Sequence, residues 1–169
     1  MKKSILLLLA VVLQFTTALS YKQEDLNQLL DTDECVMCDL SEAQLNYLTL
    51  IGVDLTAANL RSSKLVGGDL TGIILSGANL TLADLSRSYL GAAEMIGTNL
   101  TGANLSGADL TAADLTAAKL IKTNLTDVYL AADLTDADLT EAILDFTDLT
   151  GTIFCRTVMP DGSVNNRGC

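Results

Sequence analysis

The chain has 169 residues, 49% hydrophobic but only 4% aromatic, and a formal net charge of −11. It contains no His and no Trp, which removes the commonest general base and the commonest zinc ligand and excludes Ser-His-Asp, Cys-His and His-containing metal sites. The length suits one domain with a core of Leu, Ala, Val and Ile, and the acidic balance argues against nucleic acid, whose backbone calls for clustered Lys and Arg.

Residues 1–20 read as a secretory signal peptide. Lys2 and Lys3 give a positive start, Ile5 to Leu13 is an apolar run, and Ala18 and Ser20 form a small-x-small cleavage pattern with the cut after Ser20. A membrane anchor is the alternative, but spanning the hydrocarbon takes about 20 apolar residues. No membrane insertion is therefore expected after cleavage. Without Lys2 and Lys3, 8 basic residues stand against 21 acidic ones, a net charge of −13. Residues 21–37 contain a short amphipathic helix, Gln23 to Leu30. Leu26, Leu29 and Leu30 share one face, and Glu24 and Asp25 occupy the first turn, where the helix dipole favours acid. It reads as a lid over the segment that begins at residue 38, the alternative being a helix that docks a separate partner.

From Leu40 the chain repeats every five residues. Leu40, Leu45, Leu50, Leu55, Leu60, Leu65, Leu70, Leu75, Leu80, Leu85 and Leu90 lead to Met95, and Leu100, Leu105, Leu110, Leu115, Leu120, Leu125 and Leu130 continue the series. One residue is then missing, and the phase restarts at Leu134, Leu139, Leu144, Leu149 and Phe154. A period of five fits neither the 3.6 of a helix nor the 2 of a strand. A straight helix would advance about 500° per repeat and spray the Leu residues around all its sides. Every fifth residue stays inward only if the chain turns a corner in each repeat, so that four repeats close a coil and the coils stack.

The neighbours of each Leu fit such a coil. Two places before it stands a small residue, as at Ala58, Ala78, Ala103 and Ala113; one place before it stands Asp or Asn, and one place after it Thr or Ser. Asp, Asn, Ser and Thr favour turns by bonding nearby backbone, and the Gly residues fall at the corners, as at Gly67, Gly102 and Gly107. The motif A-[DN]-L-[ST]-x, as in Ala103-Asn104-Leu105-Ser106-Gly107, resembles the pentapeptide-repeat family over residues 38–156. That resemblance implies an all-β solenoid, a right-handed quadrilateral β-helix of about six coils with central Leu and preceding Ala both inward. Leu60, Leu65, Leu80, Leu85, Leu100, Leu105, Leu110 and Leu115 are then core residues. The departures are Met95, Phe154, bulky Leu48, Val53, Ile73 and Val128 at the small position, and the residue missing before Leu134; they predict a local bulge or an adjusted coil.

Residues twenty apart should lie in adjacent coils about 4.8 Å apart, which makes the rod roughly 29 Å tall. On its outer columns Asn59, Asn79 and Asn99 form an expected side-chain ladder, Lys64 lies under Asp84, and Glu94, Asp114 and Asp133 stack as like charges. Asp69, Tyr89, Asp109, Tyr129 and Asp148 alternate on one column. Tyr89 and Tyr129 are a candidate surface contact; the alternative is two aromatics that only cover a wall.

Residues 157–169 read as a second cap, with a hairpin around Pro160-Asp161-Gly162. The Cys35-Val36-Met37-Cys38-Asp39-Leu40 stretch and the Met159-Pro160-Asp161-Gly162-Ser163 tail ending at Cys169 resemble exported cyanobacterial members of the family, which implies the periplasm or thylakoid lumen. The four Cys residues allow three full pairings, and disulfides are usual in exported proteins. The rod implied by the resemblance puts the two Cys clusters at opposite ends, which implies Cys35–Cys38 and Cys155–Cys169. Cys35-x-x-Cys38 as a redox pair stays open as an alternative. The N-L-[ST] sequons, such as Asn99-Leu100-Thr101, are generated by the repeat itself, and no calcium loop or Walker-type Lys is present.

These features predict a non-catalytic structural or protein-interaction solenoid with no cofactor or metal, an unidentified protein partner and a monomeric state. One alternative is a DNA mimic acting on a DNA-binding enzyme such as gyrase, which some family members bind. Between Asp39 and Arg156, 15 acidic and 6 basic residues give −9, against about 17 charges on ~29 Å of duplex. The other is an enzyme using paired carboxylates such as Asp136 and Asp138, for which convex walls offer no cleft.

Overall fold

A computed structural model describes residues 21–169; the expected signal peptide, residues 1–20, lies outside the described residues. Parallel β-bridges run from Glu34↔Asp54 to Asp138↔Val158. Most join residues twenty apart, as in Asp39↔Asn59 and Asn59↔Asn79, and a new bridge forms at every fifth residue. The chain therefore makes four sides per coil, with one extended residue per side. Glu34 being part of the ladder, Cys35 takes an inward central position and Cys38 a small-residue position, both buried.

The corners explain the period. Most central carbonyls accept the N–H three residues on, as Leu55 O does from Ala58 N (3.0 Å) and Leu75 O from Ala78 N (2.9 Å). Two residues after the central one the backbone is left-handed, with φ of 55° at Ala57 and 68° at Gly77. This is a type II turn. Side chains other than Gly accept the conformation at a cost of roughly 1–2 kcal/mol each, because ladder bonds on both sides hold the chain there. At Gly67 and Gly102 a larger residue would also push aside an exposed side chain one coil away. A Cβ would meet the Tyr47 ring at 2.8 Å in the first case and the Leu82 side chain at 2.9 Å in the second.

The missing residue before Leu134 is the left-handed one. Neither Ala131 nor Ala132 has positive φ, and the bridges across this coil join residues nineteen apart, from Asp114↔Asp133 to Tyr129↔Asp148. Spacing returns to twenty at Asp133↔Ile153. The coil tightens at one corner and the central residues keep their inward aim, Leu130 and Leu134 both being fully buried.

Leu60, Leu65, Leu80, Leu85, Leu100, Leu105, Leu110 and Leu115 are all buried, and Met95 fills its place in the same way. Small Ala residues alternate with these Leu residues and let the walls approach around one continuous apolar core. Val53, Ile73 and Val128 are accommodated at the small position, whereas Leu48 is only partly buried.

Helix α1 spans Gln23–Thr32 and stops at Asp33, which is left-handed. Leu29 is fully buried against the first coil and Leu26 packs partly against it. Leu30, expected on the same face, is 56% exposed, because one further residue carries it about 100° around the helix. Asp25 has a role beyond the helix dipole: its Oδ2 accepts the backbone N–H of Asp39 at 2.6 Å. One coil up, the equivalent N–H of Asn59 donates to Cys38 O, so the carboxylate stands in for a coil that is not there. At the other end β1 (Thr157–Val158) pairs antiparallel with β2 (Val164–Asn165).

Truncating a central residue tests this packing. Leu85→Ala or Leu105→Ala should destabilise the protein by about 2–5 kcal/mol through the cavity left behind. Urea melts showing a loss under about 1 kcal/mol would contradict the inward packing.

Candidate functional site

The outer walls carry the side chains available to a partner, and most of their polar groups are committed to holding corners. In each full repeat the central and left-handed residues donate N–H to the next coil, the residue before the central one donates to the previous coil, and the small residue closes the turn. The fifth N–H, that of the Thr or Ser after the central residue, has no backbone acceptor in this scheme. Where Asp or Asn precedes the central residue, its Oδ1 accepts that N–H and often the hydroxyl too. Asp69 takes Thr71 N (3.3 Å) and Thr71 Oγ1 (2.7 Å), and Asn99 takes Thr101 N (3.1 Å) and Thr101 Oγ1 (2.7 Å). At Val66, which follows Lys64-Leu65, Asn46 of the previous coil accepts the N–H instead.

These acceptors also bond between coils. Asn59 Nδ2 donates to Asp39 Oδ1 (3.0 Å) and Asn79 Nδ2 to Asn59 Oδ1 (3.3 Å). A second ladder, not expected from the sequence, links Asp84, Asn104 and Asn124, each step at 3.2 Å. Lys64 Nζ lies 3.4 Å from Asp84. Equally unexpected are the pairs made by corner residues twenty or nineteen apart: Arg156 grips Asp136 with two bonds of 2.6 Å, and Lys122 lies 3.5 Å from Glu141. The i,i+20 register is the signal that could have found them. Asp136 is thus held by Arg156, and Asp138 by Thr140 N (2.9 Å) and its hydroxyl (2.5 Å).

Ser63, Ser88, Thr98, Thr123, Thr152 and Thr157 replace Ala at the inward small position and are buried. Each hydroxyl donates to a central-residue carbonyl, as Thr98 Oγ1 does to Leu75 O and Thr123 Oγ1 to Leu100 O, both at 2.8 Å. The carbonyl has a second lone pair to give, so the core admits a hydroxyl without leaving it unbonded.

The structure joins Cys35 to Cys38 and Cys155 to Cys169, with Cα separations of 5.3 and 4.8 Å. The first bond lies in the buried start of the rod; the second ties the chain terminus to the last layer. Tyr89 and Tyr129 are 59% and 62% exposed and share one column with Asp69, Asp109 and Asp148. Among the described residues no cluster of His, Cys, Asp or Glu could hold a metal ion, and no helix is long and apolar enough to cross a membrane.

A family model described as pentapeptide repeats matches eight copies within residues 38–159. The chain is 33% identical to a pentapeptide repeat protein of the cyanobacterium Cyanothece, covering 76% of this chain and 96% of that one, with a TM-score of 0.56. It is 34% identical to HetL, a pentapeptide repeat protein involved in heterocyst differentiation regulation in the cyanobacterium Nostoc, covering 78% of this chain and 62% of that one, with a TM-score of 0.36. It is 26% identical to a pentapeptide repeat protein from the Arabidopsis thaliana thylakoid lumen, covering 79% of this chain and 74% of that one, with a TM-score of 0.38. Comparison with curated proteins finds no match. The chain belongs to the pentapeptide-repeat family, and its fold is the right-handed β-helix solenoid of that family.

Several wall carboxylates sit below their usual pKa. The Thr56 hydroxyl and then its N–H lower Asp54. At Asp84 burial pushes the carboxyl up but is outweighed by bonds from Ser86 and by Lys64. A lowered folded-state pKa adds stability that is complete above the unfolded value of about 3.9 and is lost as pH falls through the folded value. The melting temperature should therefore stay level down to about pH 5 and fall below about pH 4. In a D54N/D84N variant, whose amide oxygens still accept the turn N–H, the acid decline should be shallower. An unchanged decline, followed by circular dichroism, would show that these carboxylates do not link stability to pH.

Proposed function

We propose that this chain is a non-catalytic protein-interaction solenoid that works in an exported compartment, the periplasm or the thylakoid lumen. It is a quadrilateral rod of about six coils, closed at one end by α1 and partly covered at the other by the β1–β2 hairpin. The observation that carries this reading is the solvent-facing Asp69-Tyr89-Asp109-Tyr129-Asp148 column. The large half-exposed Tyr rings supply apolar area and a hydroxyl at low entropic cost, and Tyr is among the residues enriched at protein interfaces. Rigid walls keep that column in register with no ordering on contact. Two disulfides and the leader-like residues 1–20 support the compartment.

Crosslinking with mass spectrometry in the native envelope or lumen tests the reading. One recurrent protein neighbour is expected for the wild type, and a Y89A/Y129A variant should lose it. The variant's melting curve should match the wild type, since exposed substitutions usually shift stability within about 0.5 kcal/mol. No specific neighbour, or one recovered equally by the variant, would overturn the proposal.

A further inference from the structure

The two ends of the rod are finished differently. At the first coil Leu45 and Leu50 are buried like any other central residue. At the last, the chain lies over only two of the four sides. Leu134 N donates to Ile153 O and Leu139 N to Val158 O, and the corner after Leu139 is met by Pro160 O. There the Pro160-Asp161-Gly162 turn leads the chain back on itself into β2. The sides centred on Leu144 and Leu149 remain uncovered as a ledge. Both Leu residues are only partly buried, and Ile143 and Phe146 beside them are 47% and 87% exposed.

The ledge also presents unbonded backbone. One coil below, Leu125 N, Asp127 N and Leu130 N donate to Ile143 O, Asp145 O and Asp148 O, while Thr123 O and Val128 O accept from Ile143 N and Asp148 N. At the matching ledge positions, the N–H groups of Leu144, Phe146, Leu149 and Gly151 and the carbonyls of Ala142 and Thr147 have no such partner among the described residues. A strand edge with this pattern is a template for one more strand.

Charge and shape select the occupant. Asp145 and Asp148 are exposed along the ledge, and Lys122 and Arg156 are already engaged by Glu141 and Asp136. A second copy brought end to end would set like charges against each other. It would also meet the hairpin first, which stands one to two strand spacings, about 5–10 Å, above the ledge. We infer that the ledge over Leu144 and Leu149 binds an extended basic segment of a partner protein, which adds as a strand and seats apolar side chains five residues apart on the two Leu residues. This rests on the proposed interaction role and adds to it the partner's chemistry and its place of docking.

The probe is the blocked peptide AKLTGAKLTG, added to the purified disulfide-bonded protein. Amide hydrogen exchange at Leu144, Phe146, Leu149 and Gly151 should slow about tenfold or more at saturation, as expected for amides taken into a ladder. The acidic twin ADLTGADLTG should protect them less, a backbone N-methylated version should not protect them, and D145K should weaken binding about two- to fivefold, the scale of an exposed ion pair. Absent protection, equal protection by the acidic twin, binding by the N-methylated peptide, or wild-type affinity in D145K would overturn the inference. So would a concentration-dependent dimer in sedimentation that buries these amides. If the peptide fails while a neighbour still crosslinks to the tyrosine column, the ledge inference falls and the interaction role stands.

Discussion

A chain that turns a corner every five residues must bond five backbone N–H groups per repeat without a continuous strand or helix to do it. Three go to neighbouring coils and one closes the turn. Where Asp or Asn precedes the central residue, its side chain accepts the last. This bonding requirement accounts for the repeat chemistry. The central Leu fills the interior, the small residue lets the wall approach, the carboxamide or carboxylate holds the turn, and the Thr or Ser supplies the N–H and hydroxyl it holds. Burying backbone inside so narrow a coil is tolerable only because almost nothing is left unbonded.

The same arrangement fixes what the walls can offer. Polar side chains that look free in the sequence are mostly used to hold corners, as the bonds of Asp69, Asn99 and Asp138 show. What is left over for a partner is the residue that cannot serve as a turn acceptor, and Tyr89 and Tyr129 are such residues. Along the regular side walls the ladder and turn N–H groups are bonded from coil to coil, and at the place where the solenoid stops they are not. One end substitutes the Asp25 carboxylate for an absent coil; the other leaves two sides open.

Much of this was legible in the residues. The five-residue spacing placed Leu85 and Leu105 inside, the i,i+20 register aligned Lys64 with Asp84, and the absence of one residue before Leu134 marked the irregular coil. The outward aim of Leu30 was not legible, because helical periodicity places residues on a face but does not say where the first coil ends beneath it. The inward Ser and Thr hydroxyls, which look like interruptions of the Ala pattern, find their acceptors twenty-three residues away at Thr98 and Thr123.

The five-residue period dictates the coil, since a period of five that is apolar at one position in each repeat can be buried only by a chain that turns at each repeat. Tertiary structure alone decided the ends. Whether Leu144 and Leu149 are covered depends on where the chain departs after Pro160, and that route depends on the pairing of β2 with β1 and the tie between Cys155 and Cys169. Repeats specify contacts with their neighbours; a terminus has no next neighbour, so its environment is set by chain geometry outside the repeat.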